Sequence, residues 1–219
     1  MMHKRYENIF INRVDAGEKL LDVIDKSIIE DENLKIIAVS KNALETVSGF
    51  KLKNSFVEIL FSESINAPNN KECEIARVSE TKEMIFNSEL IKSFDIEYDY
   101  IYGEAHRKHE EDILRDIYQY RKGKAFPSME NSIVLLVDDG SQTGSIIINA
   151  IKTVLLQNPK AVYVAIPIIA REILEIVEIL VDKVFYLYNM DDYIATSFYY
   201  KEYIDIKDEE FEKLLEENR

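Results

Sequence analysis

Residues 134–145 read VLLVDDGSQTGS, and the fold turns on them. A run of apolar residues, IVLLV at 133–137, is short and uninterrupted, as a strand buried on both faces would be. It ends in two adjacent carboxylates, Asp138 and Asp139, and then in a loop of small residues, Gly140, Ser141, Gln142, Thr143, Gly144 and Ser145. The apolar periodicity of IIINAIKTV predicts a helix over 144–157 directly after that loop. A helix N-terminus offers free N–H groups and the positive end of the dipole, so the loop suits an anion such as phosphate. Gly140 and Gly144 let the backbone curl close to it, and Ser141, Thr143 and Ser145 add hydroxyl donors.

Carboxylates just before such a cradle repel phosphate unless they meet another group. Ionised aspartate accepts hydrogen bonds from sugar hydroxyls, and it ligates Mg²⁺, partly through water. A ribose 5-phosphate group supplies both partners, the phosphate at one end and a diol at the other. Two other readings compete. In one, Asp138 or Asp139 simply caps the following helix. In the other, the stretch is the acidic strand of an ATPase, which requires a GxxxxGK[ST] loop that none of the six glycines provides.

Outward from this stretch the pattern alternates between strand and helix. KIIAVS at 35–40 and FVEILF at 56–61 read as strands with NALETVSG as a helix between them. AVYVAI at 161–166, a helix at 171–181, KVFYLY at 183–188 and an amphipathic helix at 208–217 follow the central element. Residues 14–29 read as one helix, and 103–124 as a long charged helix. The stretch 62–100 holds turn-like pieces such as NAPNN and short strands near 75–79 and 83–86. The sum is an α/β chain with a mostly parallel sheet and helices on both faces. Its 219 residues, 47% of them apolar, fit a single domain over 1–219.

The chain carries a formal charge of −14, which argues against a nucleic-acid polymer as partner. It also means that an anionic substrate needs local N–H groups, bases or a divalent cation. Cys73 is the only cysteine, which suits a reducing, cytoplasmic setting. MMHKRYENIF lacks the apolar stretch of a signal peptide, and the longest apolar segment, 161–170, is too short to span a bilayer.

VLLVDDGSQTGS resembles the signature of the type I phosphoribosyltransferases: an apolar strand, two acids and a small-residue TG loop. FINRVDAGEKL at 10–20, APNNKECEIARV at 67–78, the segment from Arg115 through RKGK, AVYVAIPI and the ending FYYKEYIDIKDEEFEKLL are similar to stretches of one bacterial subgroup of that family. The resemblance implies a Rossmann-like core of about five parallel strands with a small hood, built from parts of 1–30 and 62–102. It implies phosphoribosyl pyrophosphate as substrate, with Mg²⁺ carried mainly by the substrate and Asp138 and Asp139 as further candidate metal contacts. Asp138 and Asp139 would hold the ribose hydroxyls, and Gly140 to Ser145 the 5-phosphate. A small acceptor such as a nucleobase would displace pyrophosphate. A homodimer is common for such a fold.

The family's pyrophosphate loop follows the first core strand and is glycine-rich, whereas Ser40, Lys41, Asn42 and Ala43 stand here. Glu63 stands where the subgroup has a base. These departures leave a second reading, a non-catalytic protein of the same fold that binds a 5-phosphoribosyl compound or a nucleotide monophosphate. The basic residues of 104–124 read either as an exposed ion-paired face or as a segment closing over pyrophosphate. His106 and His109 are spaced as a metal pair but lack a third strong ligand. Tyr193, Phe198, Tyr199, Tyr200 and Tyr203 read as packing for the last helix or a dimer surface, with base stacking as the alternative.

Overall fold

The computed structural model describes residues 6–52 and 55–217. The leading MMHKR and the last two residues of the acidic tail lie outside the described residues. Five strands, β1 (Leu34–Ala38), β2 (Phe56–Ile59), β6 (Ile133–Val137), β7 (Ala161–Ala170) and β8 (Lys183–Met190), form one sheet in the order β2-β1-β6-β7-β8. All four pairings are parallel. β6 is fully buried in the centre, as its unbroken apolar run requires.

Alternation along the strands sorts side chains between two apolar layers. Ile36, Leu135 and Ala165 face one layer, while Ile37, Leu136 and Val164 face the other. The first layer is covered by α1 (Arg13–Leu21), α3 (Lys41–Ser48) and α9 (Asp208–Glu217), the second by α7 (Ser145–Leu155) and α8 (Arg171–Leu180). Among the described residues, no helix is long and apolar enough to cross a membrane.

A second, antiparallel sheet holds β3 (Ser62–Ala67), β4 (Asn70–Ser79) and β5 (Met84–Phe86) in the order β3-β4-β5. Short α4 (Ser88–Ser93) follows. Of the two stretches expected to form the hood, 62–102 supplies this sheet, while α1 of the other packs on α3 and the parallel sheet. The helix expected over 14–29 is two pieces, α1 and α2 (Lys26–Ile29). Asp22 caps the end of α1, where an acid opposes the dipole, and Asp25 stands at the start of α2, where an acid favours a new helix. The charged helix is longer than expected. It runs as α5 (Tyr98–Lys108), a π-helical turn at His109–Ile113, and α6 (Leu114–Arg121), ending at Lys122 in the left-handed region with φ 54°.

α1 crosses α3 through two glycines. A Cβ on Gly17 would lie 2.0 Å from the carbonyl oxygen of Thr46, and one on Gly49 would lie 2.3 Å from that of Val14. Both obstacles are backbone, so the crossing cannot relax around a methyl group. Gly17→Ala should destabilise the fold by about 3 kcal/mol, the upper end of overpacking costs, read as a lowered denaturation midpoint with unchanged m-value.

Candidate functional site

The parallel strands deliver Asp138 and Asp139 to the carboxyl edge of the sheet, where open α/β sheets bind ligands. Both are buried, at 2% and 5% exposure. Asp138 Oδ1 accepts from the backbone N–H of Asp139 at 2.9 Å. Burial, and then the neighbouring Asp139 carboxylate, push Asp138 well above the usual carboxylate range.

Asp139 has a partner that lies 126 residues away in sequence. Arg13 Nε donates to Asp139 Oδ2 at 2.7 Å, and Arg13 Nη1 donates to Glu45 Oε2 at 2.8 Å and to the carbonyl of Ile204 at 2.6 Å. The guanidinium carbon sits 4.1 Å from the ring centroid of Tyr203. Burial works against the charge on Arg13, but Asp139 and then Tyr203 together more than offset it and hold the guanidinium protonated. Tyr200 donates its hydroxyl to the Asp139 carbonyl. The sequence reading singled out no role for Arg13, because nothing local in FINRVDAGEKL announces a partner on β6.

The loop leaves the carboxylates through two constrained glycines. A Cβ on Gly140 would meet Thr196 Cγ2 at 2.5 Å and the Tyr193 hydroxyl at 2.9 Å. Gly144 takes φ 75° and caps α7. Ser141 is buried and exchanges backbone hydrogen bonds with β7, from its N–H to Ile168 O at 3.0 Å and from Ala170 N–H to its own carbonyl at 2.9 Å. Gln142 and Thr143 are exposed, and Ser145 is half-buried at the first position of α7. The accessible part of the loop is thus Gln142, Thr143 and Ser145, with Ser141 serving as a staple to the sheet.

Ser40 to Ala43 form no loop. Ser40 caps α3, its hydroxyl accepting from Ala43 N–H at 3.0 Å, and Ala43 is buried. Lys41 Nζ donates to the Tyr120 hydroxyl at 2.8 Å and lies 3.5 Å from Asp116 and 3.4 Å from Asp208. Asn42 donates to Asp205 at 2.9 Å and accepts from Ile206 N–H at 3.2 Å. The two side chains that would face a diphosphate are therefore engaged, Lys41 by α6 and Asp208 and Asn42 by the 205–206 backbone and side chain. Glu63 pairs with Lys108 at 3.4 Å.

The remaining candidates separate. His106 is exposed, while His109 is buried and its Nε2 lies 3.1 Å from the carbonyl of Glu80. Among the described residues, no group of three or more His, Cys, Asp or Glu is placed to hold a metal ion. Arg107, Lys108 and Arg115 pair with acids along their own helix, whereas Arg121 is buried and pairs with buried Glu80. The aromatic ending packs on Phe10 and over Gly140 rather than on α9, whose Phe211 meets Tyr120 instead.

No family model matches the chain, and no curated protein matches it by sequence. Among solved structures, TT1426 from Thermus thermophilus aligns with a TM-score of 0.72 at 24% identity, covering 94% of this chain and 97% of that one. That similarity shows a shared fold. The AQ2163 protein from Aquifex aeolicus aligns at 0.49 with 14% identity, covering 85% and 78%. A purine phosphoribosyltransferase from Pyrococcus horikoshii Ot3 aligns at 0.46 with 12% identity, covering 92% and 99%.

The two carboxylates should respond oppositely to perturbation. Asp138 binds a proton more tightly folded than unfolded, so above the unfolded pKa the fold loses stability as pH rises toward the raised native value. Asp138→Asn should raise the melting temperature at pH 7, by roughly 2–4 °C per kcal/mol of penalty relieved. The gap should close as pH falls toward the ordinary carboxylate range. Arg13→Met leaves buried Asp139 and half-buried Glu45 without their cation and should cost about 3–5 kcal/mol in chemical denaturation.

Proposed function

We propose that the chain is a phosphoribosyltransferase that takes phosphoribosyl pyrophosphate, with Mg²⁺ as the substrate's counterion, and passes the phosphoribosyl group to a small acceptor such as a nucleobase. One observation carries the reading. Asp138 and Asp139 end the central strand of a parallel sheet, and the 142–145 loop opens α7 immediately beside them. In this reading the 5-phosphate sits on Thr143, Ser145 and the first N–H groups of α7. The ribose lies over the strand end, its hydroxyls directed at the carboxylates. Both carboxylates are buried and the 193–203 segment packs over Gly140 and the Asp139 carbonyl, so in this reading the sugar needs local opening to reach them.

The bond from the anomeric carbon to the pyrophosphate oxygen breaks, and a bond to the acceptor nitrogen forms. Positive charge develops on the ring during this exchange, and the Asp139 carboxylate held beside it in a poorly solvated pocket stabilises that charge, while Asp138 serves the ribose hydroxyls. Arg13 fixes the orientation of Asp139 through the step. Asp138 and Asp139 are already engaged within the protein and do not make a metal cage, so no step is assigned to a protein-held metal. The single cysteine and the acidic composition agree with a cytoplasmic enzyme.

A second reading has its own support. Lys41 and Asn42 are held by Tyr120, Asp205 and Asp208, so their donors at the diphosphate end are already occupied. A protein with this site would bind a phosphoribosyl compound or a nucleotide monophosphate without turning it over.

Calorimetric titration with phosphoribosyl pyrophosphate, with and without Mg²⁺, tests both. Mg²⁺-dependent binding that falls at least about tenfold in Thr143→Ala and in Asp138→Asn, equivalent to roughly 1.4 kcal/mol, is expected for the transferase. Binding of a nucleoside 5-monophosphate but not of the pyrophosphate compound favours the second reading, and binding of neither overturns both.

A further inference from the structure

The loop at 142–145 is one wall of a cleft whose other wall is the second sheet. A cavity of about 680 Å³ runs from Thr143 and Ser145 to Cys73, Ile85 and Phe86. That volume falls within the range of small-molecule sites. Its walls are tied together, since Asn149 of α7 donates to the carbonyl of Glu83 at 3.1 Å, in the turn before β5. The cleft therefore exists before any ligand arrives.

The lining decides what fits. Ile75, Ile85, Leu90 and Ile148 give it an apolar interior. Phe86 is braced edge-on by Tyr98 and Tyr102, with ring centroids 5.8 and 6.1 Å away, so its ring is held in place. The charges are wrong for a second anion. Among the described residues of the lining, Lys152 is the one base, against Glu72, Glu74 and Glu89. Glu74 is neutralised by two hydrogen bonds from Arg77, which leaves two exposed carboxylates near the opening. A diphosphate would be repelled there, while ring N–H and amino donors would find acceptors.

We propose that this cleft holds the amino-bearing heteroaromatic ring of a nucleoside 5-monophosphate, with Phe86 as its stacking face and the phosphate on Thr143 and Ser145. The assignment rests on the phosphate role given to the loop above and adds the chemical class at the other end of the ligand. In the transfer reaction the same cleft receives the free acceptor ring. It also removes any need for the C-terminal tyrosines to stack a base, since those rings are packed over Gly140 and Phe10.

Cys73 makes the test direct. It is the only cysteine in the chain, it is partly exposed, and it lines the cleft. Alkylation by iodoacetamide is followed by mass spectrometry with adenosine 5-monophosphate or with ribose 5-phosphate, each at tenfold its measured Kd. Adenosine monophosphate should slow alkylation about tenfold, the free fraction expected at that occupancy, and ribose 5-phosphate should leave the rate unchanged. In parallel calorimetry, Phe86→Leu should weaken adenosine monophosphate about tenfold, as loss of one stacking face does, and leave ribose 5-phosphate within twofold. If both ligands bind and both weaken in Thr143→Ala, yet Cys73 is unprotected and Phe86→Leu is neutral, the cleft assignment falls while the phosphate site stands. If neither ligand binds, both fall.

Discussion

Arg13 enters the core from α1 with 2% of its surface exposed and joins Asp139 at the end of β6, Glu45 on α3 and the carbonyl of Ile204 near the C-terminus. Moving a guanidinium out of water costs several kcal/mol, and the loss is recovered only when nearly every donor is met. Here Nε and Nη1 are met and the face lies against Tyr203, while Nη2 has no hydrogen-bond partner among the described residues. The tie fixes one site carboxylate and anchors the segment that covers it. The glycine contact between α1 and α3 is part of the same arrangement, because only a close crossing brings Arg13 to Glu45.

Charge is distributed unevenly around the carboxyl edge of a chain of charge −14. The 140–145 loop carries no basic side chain, and positive character there comes from the start of α7, where backbone N–H groups carry partial charge without altering the net charge. The neighbouring Asp138 is held toward its neutral form by burial and by the adjacent Asp139 carboxylate. The bases that do lie near the carboxyl edge are matched to acids: Lys41 to Asp116 and Asp208, Arg121 to Glu80, Lys108 to Glu63. The two ends of the region therefore differ in character, with open backbone donors at the loop and saturated side chains at α3.

Where local pattern determines structure, the sequence was legible. β6 announces itself because a buried parallel strand must be apolar throughout, and α9 runs over the 208–217 expected from Phe211, Leu214 and Leu215. β3 was missed because SESINA has no apolar alternation; it is held by pairing with β4 and is only partly buried. The helix read from Asn42 in NALETVSG begins one residue earlier, at Lys41, because the Ser40 hydroxyl caps α3, a contact that apolar periodicity does not register. Arg13 was not legible, since its partners lie 32, 126 and 191 residues away. No single-residue signal separates a buried arginine from the exposed arginines of a charged chain.

The π-helical turn at His109–Ile113 has a consequence for how this chain tolerates change in length. One extra residue in that turn shifts the angular phase of everything after it, by about 100° relative to an uninterrupted α-helix. Before the turn, Ile101 and Ala105 are buried and the helix packs on β3 and β4. After it, Tyr120 faces Lys41 and Phe211, and Arg121 faces Glu80. The helix thus acts as a shaft with two keyed ends, and the turn sets the offset between them. Relatives that lack the extra residue would need a different partner set at the far end, so insertions and deletions here should travel through descent together with substitutions at positions 41, 80 and 211.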